Sequence, residues 1–314
     1  MNCFVENKKI YLETCELNIA HQCNLSCRAC GHLSPIAKKY YMPAAAIFKD
    51  LSILAKYIQL NHVRLLGGEP LLHPDLTGVI EAVRNSGISK RIRIVTNGLL
   101  LWKMRDDSWR DVDEVHISIY PGKEIEIEKL KLYREKAKSH HVDFEVYYFD
   151  YFRESYSEIG ADDKALIRRI YNTCLMAHQW HCYNIHDGFF FKCPQSVFLP
   201  RFLHKSDLTN QFINGIRIGD LPGFRENLIA YLESHEPLAS CKYCLGSVGK
   251  LFHHEEIPRN EWGQRQNRST EDLIDNEYLD TLENVDKDAD NLCLRSHLLL
   301  PENREIAVKS GLIS

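Results

Sequence analysis

Cys23, Cys27 and Cys30 form a C-x3-C-x2-C cluster directly after the apolar run Leu17-Asn18-Ile19-Ala20, which reads as the end of a β-strand. Three thiolates on one short loop make a metal site. Four-iron clusters are usually held by four thiolates. A loop supplying three therefore leaves one iron open to a substrate or cofactor, as catalytic zinc sites keep an open position. The alternative is a zinc knuckle with its fourth ligand elsewhere, although structural zinc sites generally pair C-x2-C or C/H units from two places. A second group follows: Cys174, Gly188 and Cys193 give C-x13-G-x4-C, and 47 residues later Cys241 and Cys244 give C-x2-C. Spacing alone does not choose iron over zinc for these four thiols. Cys182 also precedes Gly188, by six positions, and is an alternative to Cys174 in the set.

The elements that must position these residues are short β-rich runs alternating with helical patterns, the signature of β-α units around a parallel sheet. Pro43 opens a helix carrying Ile47, Leu51, Leu54 and Ile58 at helical spacing. Val63 to Leu66 reads as the second strand and ends in Gly67-Gly68-Glu69-Pro70. Asp75 caps a helix with Leu76, Val79, Ile80 and Val83, and Ile92 to Val95 is a third strand ending in Thr96-Asn97-Gly98. Val115 to Ile119, a charged helix over Glu124 to His140, and Val142 to Phe149 continue the rhythm. In such sheets ligands sit at the carboxyl ends of the strands, where the three cysteines, Gly67-Gly68-Glu69-Pro70 and Thr96-Asn97-Gly98 all fall. The pattern changes near residues 155–170. Beyond it the sequence predicts a hairpin over Tyr183 to Lys192 around Asp187-Gly188, a helix near Phe224 to Ser234 and a charged stretch after Glu255.

A C-x3-C-x2-C loop after the first strand, with Gly-Gly-Glu-Pro after the second, is similar to the radical S-adenosylmethionine superfamily. The resemblance covers residues 12 to about 150. It implies an α/β fold, a partial (β/α)6 barrel with a small auxiliary-cluster domain after it. It also implies a 4Fe-4S cluster on Cys23, Cys27 and Cys30 whose fourth iron is chelated by S-adenosylmethionine. The Gly67-Gly68 pair would let backbone approach the methionine moiety without a Cβ in the way, and Glu69, beside Pro70, offers an acceptor for its ammonium group. Thr96, Asn97 and Ser118 match later strand-end positions that touch the ribose and carboxylate. The chain departs from the pattern at Ala29, where the family usually has an aromatic residue near the adenine; His32 or Leu33 would then supply that packing. The second cysteine group resembles a twitch domain, a shortened SPASM domain that holds one auxiliary 4Fe-4S cluster with four cysteines. The domain reading is a core over 1–160, a twitch-like domain over 161–255 and a charged extension over 256–314.

The resemblance implies reductive cleavage of S-adenosylmethionine to methionine and a 5'-deoxyadenosyl radical that takes hydrogen from a substrate. A flavodoxin- or ferredoxin-type donor would supply the electron. Oxidation follows if the auxiliary cluster accepts an electron, and epimerisation if a thiol returns hydrogen; Cys182 and Cys293 are the candidate donors. The expected substrate is a polar small molecule, a sugar or aminocyclitol, altered by dehydrogenation, epimerisation or dehydration. This expectation rests on the single auxiliary cluster and on the lack of an N-terminal peptide-recognition domain. Tyr147, Tyr148, Tyr151, Trp180 and His181 are candidates to line the pocket. Two other functions compete: maturation of a ribosomally made peptide or protein side chain, and a zinc-stabilised binding module.

Bulk composition agrees with a cytoplasmic enzyme of this kind. The 314 residues can bury a large core. With 39 basic and 43 acidic residues interspersed, nothing predicts capture by nucleic acid or an anionic membrane. No apolar stretch reaches the roughly 18 residues of a membrane span, and Met1 to Ile10 lacks a secretory pattern. Without one, 11 cysteines point to metal binding or catalysis rather than disulfides.

Overall fold

The computed structural model describes residues 4–6, 9–208, 214–262 and 267–284. These fall into two compact units, one comprising the chain up to Asn24 with Lys39–Tyr151, the other Leu25–Lys38 with the chain from Phe152 onward. The first unit runs β1 (Phe4–Glu6), β2 (Lys9–Ala20), α1 (Ala44–Leu54), β3 (Ile58–Gly67), α2 (Leu76–Ser86), β4 (Ser89–Thr96), α3 (Asp106–Asp111), β5 (Glu114–Ile119), α4 (Ile127–Ser139) and β6 (Asp143–Tyr148). Strands β2 to β6 lie side by side in sequence order, each pair parallel, and β1 folds back antiparallel on β2. The fold is α/β with a mostly parallel, open sheet, consistent with a partial barrel.

Local chemistry explains most boundaries. Pro43 stands just before α1, where its missing N–H costs nothing. The Asp75 carboxylate accepts from Gly78 N at 3.1 Å and starts α2. Ile58, expected in the first helix, instead begins β3. The chain turns at Ala55–Tyr57, and Ile58 buries itself in register with Ile10 of β2. Strands β3 and β4 start earlier than their apolar cores, because alternating residues continue each strand ahead of Val63 and Ile92.

The two faces of this sheet differ. One carries Cys15, Leu17 and Ile19, Val63 and Leu65, Ile92 and Ile94, and Val115 and Ile117, all buried. Helix α1 buries the stripe Ile47, Leu51 and Leu54, and α2 buries Val79, Ile80 and Val83. The other face is polar. Register places Glu16 opposite Arg64, Arg64 opposite Arg93, Arg93 opposite Glu114 and Glu114 opposite Asp143, a charged row across five strands.

In the second unit, β7 (Tyr151–Arg153) pairs with β11 (Leu251–His253). Helices α5 (Lys164–Asn172) and α6 (Leu175–His178) lead into β8 (Asn184–His186) and β9 (Phe189–Phe191), followed by α7 (Pro194–Phe202), β10 (Gly215–Arg217) and α8 (Phe224–Glu233). Strands β8 and β9 form the expected hairpin: His186 opposes Phe189, and Asp187 and Gly188 both take positive φ, the two-residue turn that suits strand twist. The charged stretch after Glu255 is partly helical, α9 (Arg259–Trp262), α10 (Thr270–Leu273) and α11 (Asn276–Asn284), and it buries Trp262, Leu273 and Leu279. Arg169 of α5 pairs there with Asp280 and Glu283. Among the described residues no helix is long and apolar enough to cross a membrane.

Candidate functional site

At the carboxyl ends of β2, β3 and β4 the motifs are laced together. Gly68 N donates to Ala20 O at 2.7 Å and Glu69 N to Gln22 O at 3.0 Å, so the Gly-Gly-Glu turn grips the strand end that leads into Cys23. A Cβ on Gly67 would overlap the Ala20 carbonyl, and one on Gly68 the Gln22 carbonyl. Gly67 also has φ +145, where side chains are disfavoured. The space a Cβ would fill at both glycines is thus taken by the protein's own backbone, not by an approaching ligand.

Glu69 is 0 % exposed. Its Oε1 accepts from Leu71 N at 3.0 Å and from Thr96 Oγ1 at 2.6 Å, and its Oε2 accepts from Asn97 N at 3.0 Å. One carboxylate therefore ties the turn after β3 to the turn after β4. Burial pushes its acid strength down, raising the pKa to about 7, against the opposing pull of these three donors. A carboxyl raised from 4.5 to about 7 on folding stabilises the protein fully below pH 4.5, and that contribution is lost as pH rises through 7. The change amounts to about 3 kcal/mol. Denaturant unfolding between pH 4.5 and 7.5 should show this decline, and Glu69→Gln should flatten it. An equal slope in both proteins would refute the assignment.

Asn97 completes the cluster. Its Nδ2 donates to Asn24 Oδ1 at 2.8 Å and approaches Cys23 Sγ at 3.8 Å, and its Oδ1 accepts from Leu99 N at 3.1 Å. Thr96 Oγ1, while donating to Glu69, accepts from Gly98 N at 3.0 Å. Pro70 is buried in the turn, and Ser118 is buried on β5, facing the same side as Tyr147. Glu69, Pro70, Thr96, Asn97 and Cys23 are thus brought to one rim of the first unit.

The loop carrying Cys27 and Cys30 belongs to the second unit. Cys27 pairs as a bridge with Glu256, Arg28 N donates to Glu255 O at 2.9 Å, and Ile257 N donates to Ser26 O at 3.1 Å. The Arg28 guanidinium binds Glu154 at 2.5 Å and Glu255 at 2.7 Å and lies 4.3 Å over the Phe252 ring. Ala29 is buried with φ 54. Leu33, expected as a candidate for adenine packing, is instead wholly buried in a core with Phe198 and Trp262, because this loop folds into apolar surroundings; His32 packs edge-on against Phe198. Cys30 packs against the same core, which includes Cys244.

Cys174, Cys193, Cys241 and Cys244 line one cavity with about 410 Å³ of atom-free space, part of it open to solvent, together with Tyr171, Lys192 and Gln195. Burial raises the Cys174 thiol to about 12, helped by repulsion from Cys193, and burial with repulsion from the other three raises Cys244. Cys182 is buried but is not in this cavity's wall, so Cys174 rather than Cys182 accompanies the other three. Cys293 lies outside the described residues. Gln195 Oε1 is buried with no hydrogen-bond partner, and its Nε2 faces Gly31. Among the described residues no three Cys, His, Asp or Glu side chains converge tightly enough for a single metal ion.

The polar sheet face escapes a reading that follows apolar runs. Glu114 gathers His62 at 2.8 Å, Arg91 at 2.8 Å and the Arg93 Nε at 2.5 Å. Burial pushes its carboxyl up, but the His116 hydrogen bond and the Arg93 charge outweigh it and hold it at about 2. Arg64 stands 3.6 Å from Glu16, and the buried Arg64 Nε and Thr14 Oγ1 have no hydrogen-bond partner. Tyr147 stacks obliquely on His116 at 5.3 Å, while the expected pocket residue Trp180 is exposed in the second unit. The signal that could have found this face is strict alternation, His62-Val63-Arg64-Leu65 and Arg91-Ile92-Arg93-Ile94, where parallel strands buried on both faces read as continuous apolar runs.

Residues 17–146 form a domain that matches the family model described as the Radical SAM superfamily. Among curated relatives, the GTP 3',8-cyclase of Trichodesmium erythraeum is 30% identical over 98 residues, covering 30% of each chain. The probable GTP 3',8-cyclase of Methanothermobacter thermautotrophicus is 35% identical over 85 residues, covering 27% of each. The chain thus spans under a third of these relatives' lengths. Among solved structures, BtrN in complex with AdoMet and 2-DOIA aligns at 14% identity and a TM-score of 0.44, covering 74% of this chain and 92% of that one. SuiB of Streptococcus suis aligns at 13% and a TM-score of 0.30, covering 45% and 41%.

Proposed function

We propose that this protein cleaves S-adenosylmethionine reductively and abstracts hydrogen from a polar small molecule of the sugar or aminocyclitol class. Cys23, Cys27 and Cys30 would hold the 4Fe-4S cluster that engages S-adenosylmethionine, and Cys174, Cys193, Cys241 and Cys244 an auxiliary one. Thiols that line a cavity, instead of converging on a point, suit a cluster of several metal atoms better than one zinc ion. When bound, the first cluster supplies the electron for cleavage and the nucleoside supplies the radical chemistry. The protein's part is positioning. Asn97 orients the strand ends around Cys23, Glu69 locks the two turns together, and Thr96 and Ser118 are the residues proposed to meet the ribose and carboxylate.

The substrate class is carried by one observation, the charged row Glu16, Arg64, Arg93 and Glu114 with His116 and Tyr147 on one face of the sheet. Buried polar groups need partners. A hydroxyl- or amine-bearing molecule could supply them to the unsatisfied Arg64 Nε and Thr14 Oγ1, whereas an apolar one would leave them unmet. Cys182, outside the four-thiol wall, stays the candidate hydrogen donor for an epimerisation. The test is anaerobic incubation of the iron-loaded protein with S-adenosylmethionine, dithionite and carbon-deuterated sugars, aminocyclitols or peptides. Deuterium in 5'-deoxyadenosine from a polyol supports the reading. Transfer only from a peptide points to side-chain maturation, and a colourless protein with two zinc ions to a binding module.

A further inference from the structure

Lys192 is 3 % exposed and lines the same cavity as Cys174, Cys193, Cys241 and Cys244. Its Nζ donates to Ser234 O at 2.5 Å and to Tyr171 Oη at 3.3 Å, and it lies 5.5 Å from the centre of the Tyr231 ring. The Tyr231 hydroxyl accepts from Lys192 N at 2.9 Å and donates to Asn214 O at 2.6 Å, so α8 and the residue after it hold both the backbone and the ammonium of the lysine. All these neighbours are neutral. No carboxylate among the described residues forms an ion pair with Lys192. A buried ammonium without a counter-charge is costly to fold around. Among the described residues lining its cavity, the only groups able to carry negative charge at neutral pH are the four thiols, once they hold metal.

We propose that Lys192 is a positioning residue that supplies a fixed positive charge to the metal group held by these four thiols, making its one-electron reduction easier. The inference rests on the auxiliary-cluster reading above. Reduction by dithionite adds one electron and one negative charge to the group, and a nearby buried cation favours the more negative state. Removing the cation should lower the potential.

The experiment is an anaerobic redox titration of the iron-loaded protein followed by electron paramagnetic resonance, with iron counted in each sample. The proteins are wild type, Lys192→Met, Lys192→Arg and Cys241→Ala. Cys241→Ala should lose about four irons and one signal, which assigns the auxiliary cluster. In Lys192→Met, the reduced-to-oxidised ratio of that signal at the wild-type midpoint should be at least about tenfold lower, a downward shift of about 59 mV for one electron. Lys192→Arg should recover most of it, while the other signal stays put. If Met or Arg fails to fold, Lys192→Gln reads the same shift. An unchanged iron count in Cys241→Ala overturns the cluster reading and this inference with it. A normal count with equal potentials in wild type and Lys192→Met overturns the inference alone.

Discussion

Replacing Cys27 with alanine should abolish 5'-deoxyadenosine formation while leaving the protein folded. The wild type should load about eight irons and the variant about four, the remainder on the second cysteine group. The separation of chemistry from stability follows from how the loop is held. Backbone pairing of Cys27 with Glu256, the Arg28 N to Glu255 O bond and the Arg28 guanidinium on Glu154 secure it without the thiol. A buried sulfur-to-hydrogen truncation in such a frame should cost about 1 kcal/mol, near the centre of ordinary point-mutant effects. Iron analysis, circular dichroism and chromatographic assay of the nucleoside check the three parts. Cleavage that survives in Cys27→Ala would remove the three-cysteine loop from the chemistry.

Gly68→Ala should be a strongly damaging single-methyl change at the strand ends. The methyl would overlap the Gln22 carbonyl, which also accepts from Glu69 N, so no flexible side chain can move aside. Overpacking against fixed atoms costs about 1–3 kcal/mol, or a fall of roughly 2–4 °C in melting temperature per kcal/mol. Because the displaced carbonyl precedes Cys23 by one residue, iron loading of the first group should fall too. Gly122→Ala is the control: its φ of 73 strains an added side chain, a cost Gly68 does not carry, but there is open space around the added carbon. Equal melting temperatures and iron contents for the two variants would show that the Gly-Gly turn does not position the loop.

The cysteine loop, the Gly-Gly-Glu-Pro turn, the strand-helix rhythm and the Asp187-Gly188 hairpin are all legible in the amino-acid sequence, because each rests on chemistry local in the chain. Thiol spacing sets three cysteines on one loop, Asp75 caps a helix within three residues, and an Asp-Gly pair accepts positive φ. Ile58 is misplaced for the complementary reason: helical spacing cannot see that β2 offers a better partner than the next turn of helix.

Glu69 shows what only tertiary structure decides. The sequence determined that a carboxylate follows two glycines at a strand end. Folding turned it into a buried latch among Leu71, Thr96 and Asn97, and gave the glycines a backbone to approach. The gathering of Cys174, Cys193, Cys241 and Cys244 in one cavity wall and the charged row from Glu16 to Glu114 likewise came from elements distant in sequence meeting in space. Residue type sets which bonds are available; burial and register, properties of the assembled chain, set which of them are made.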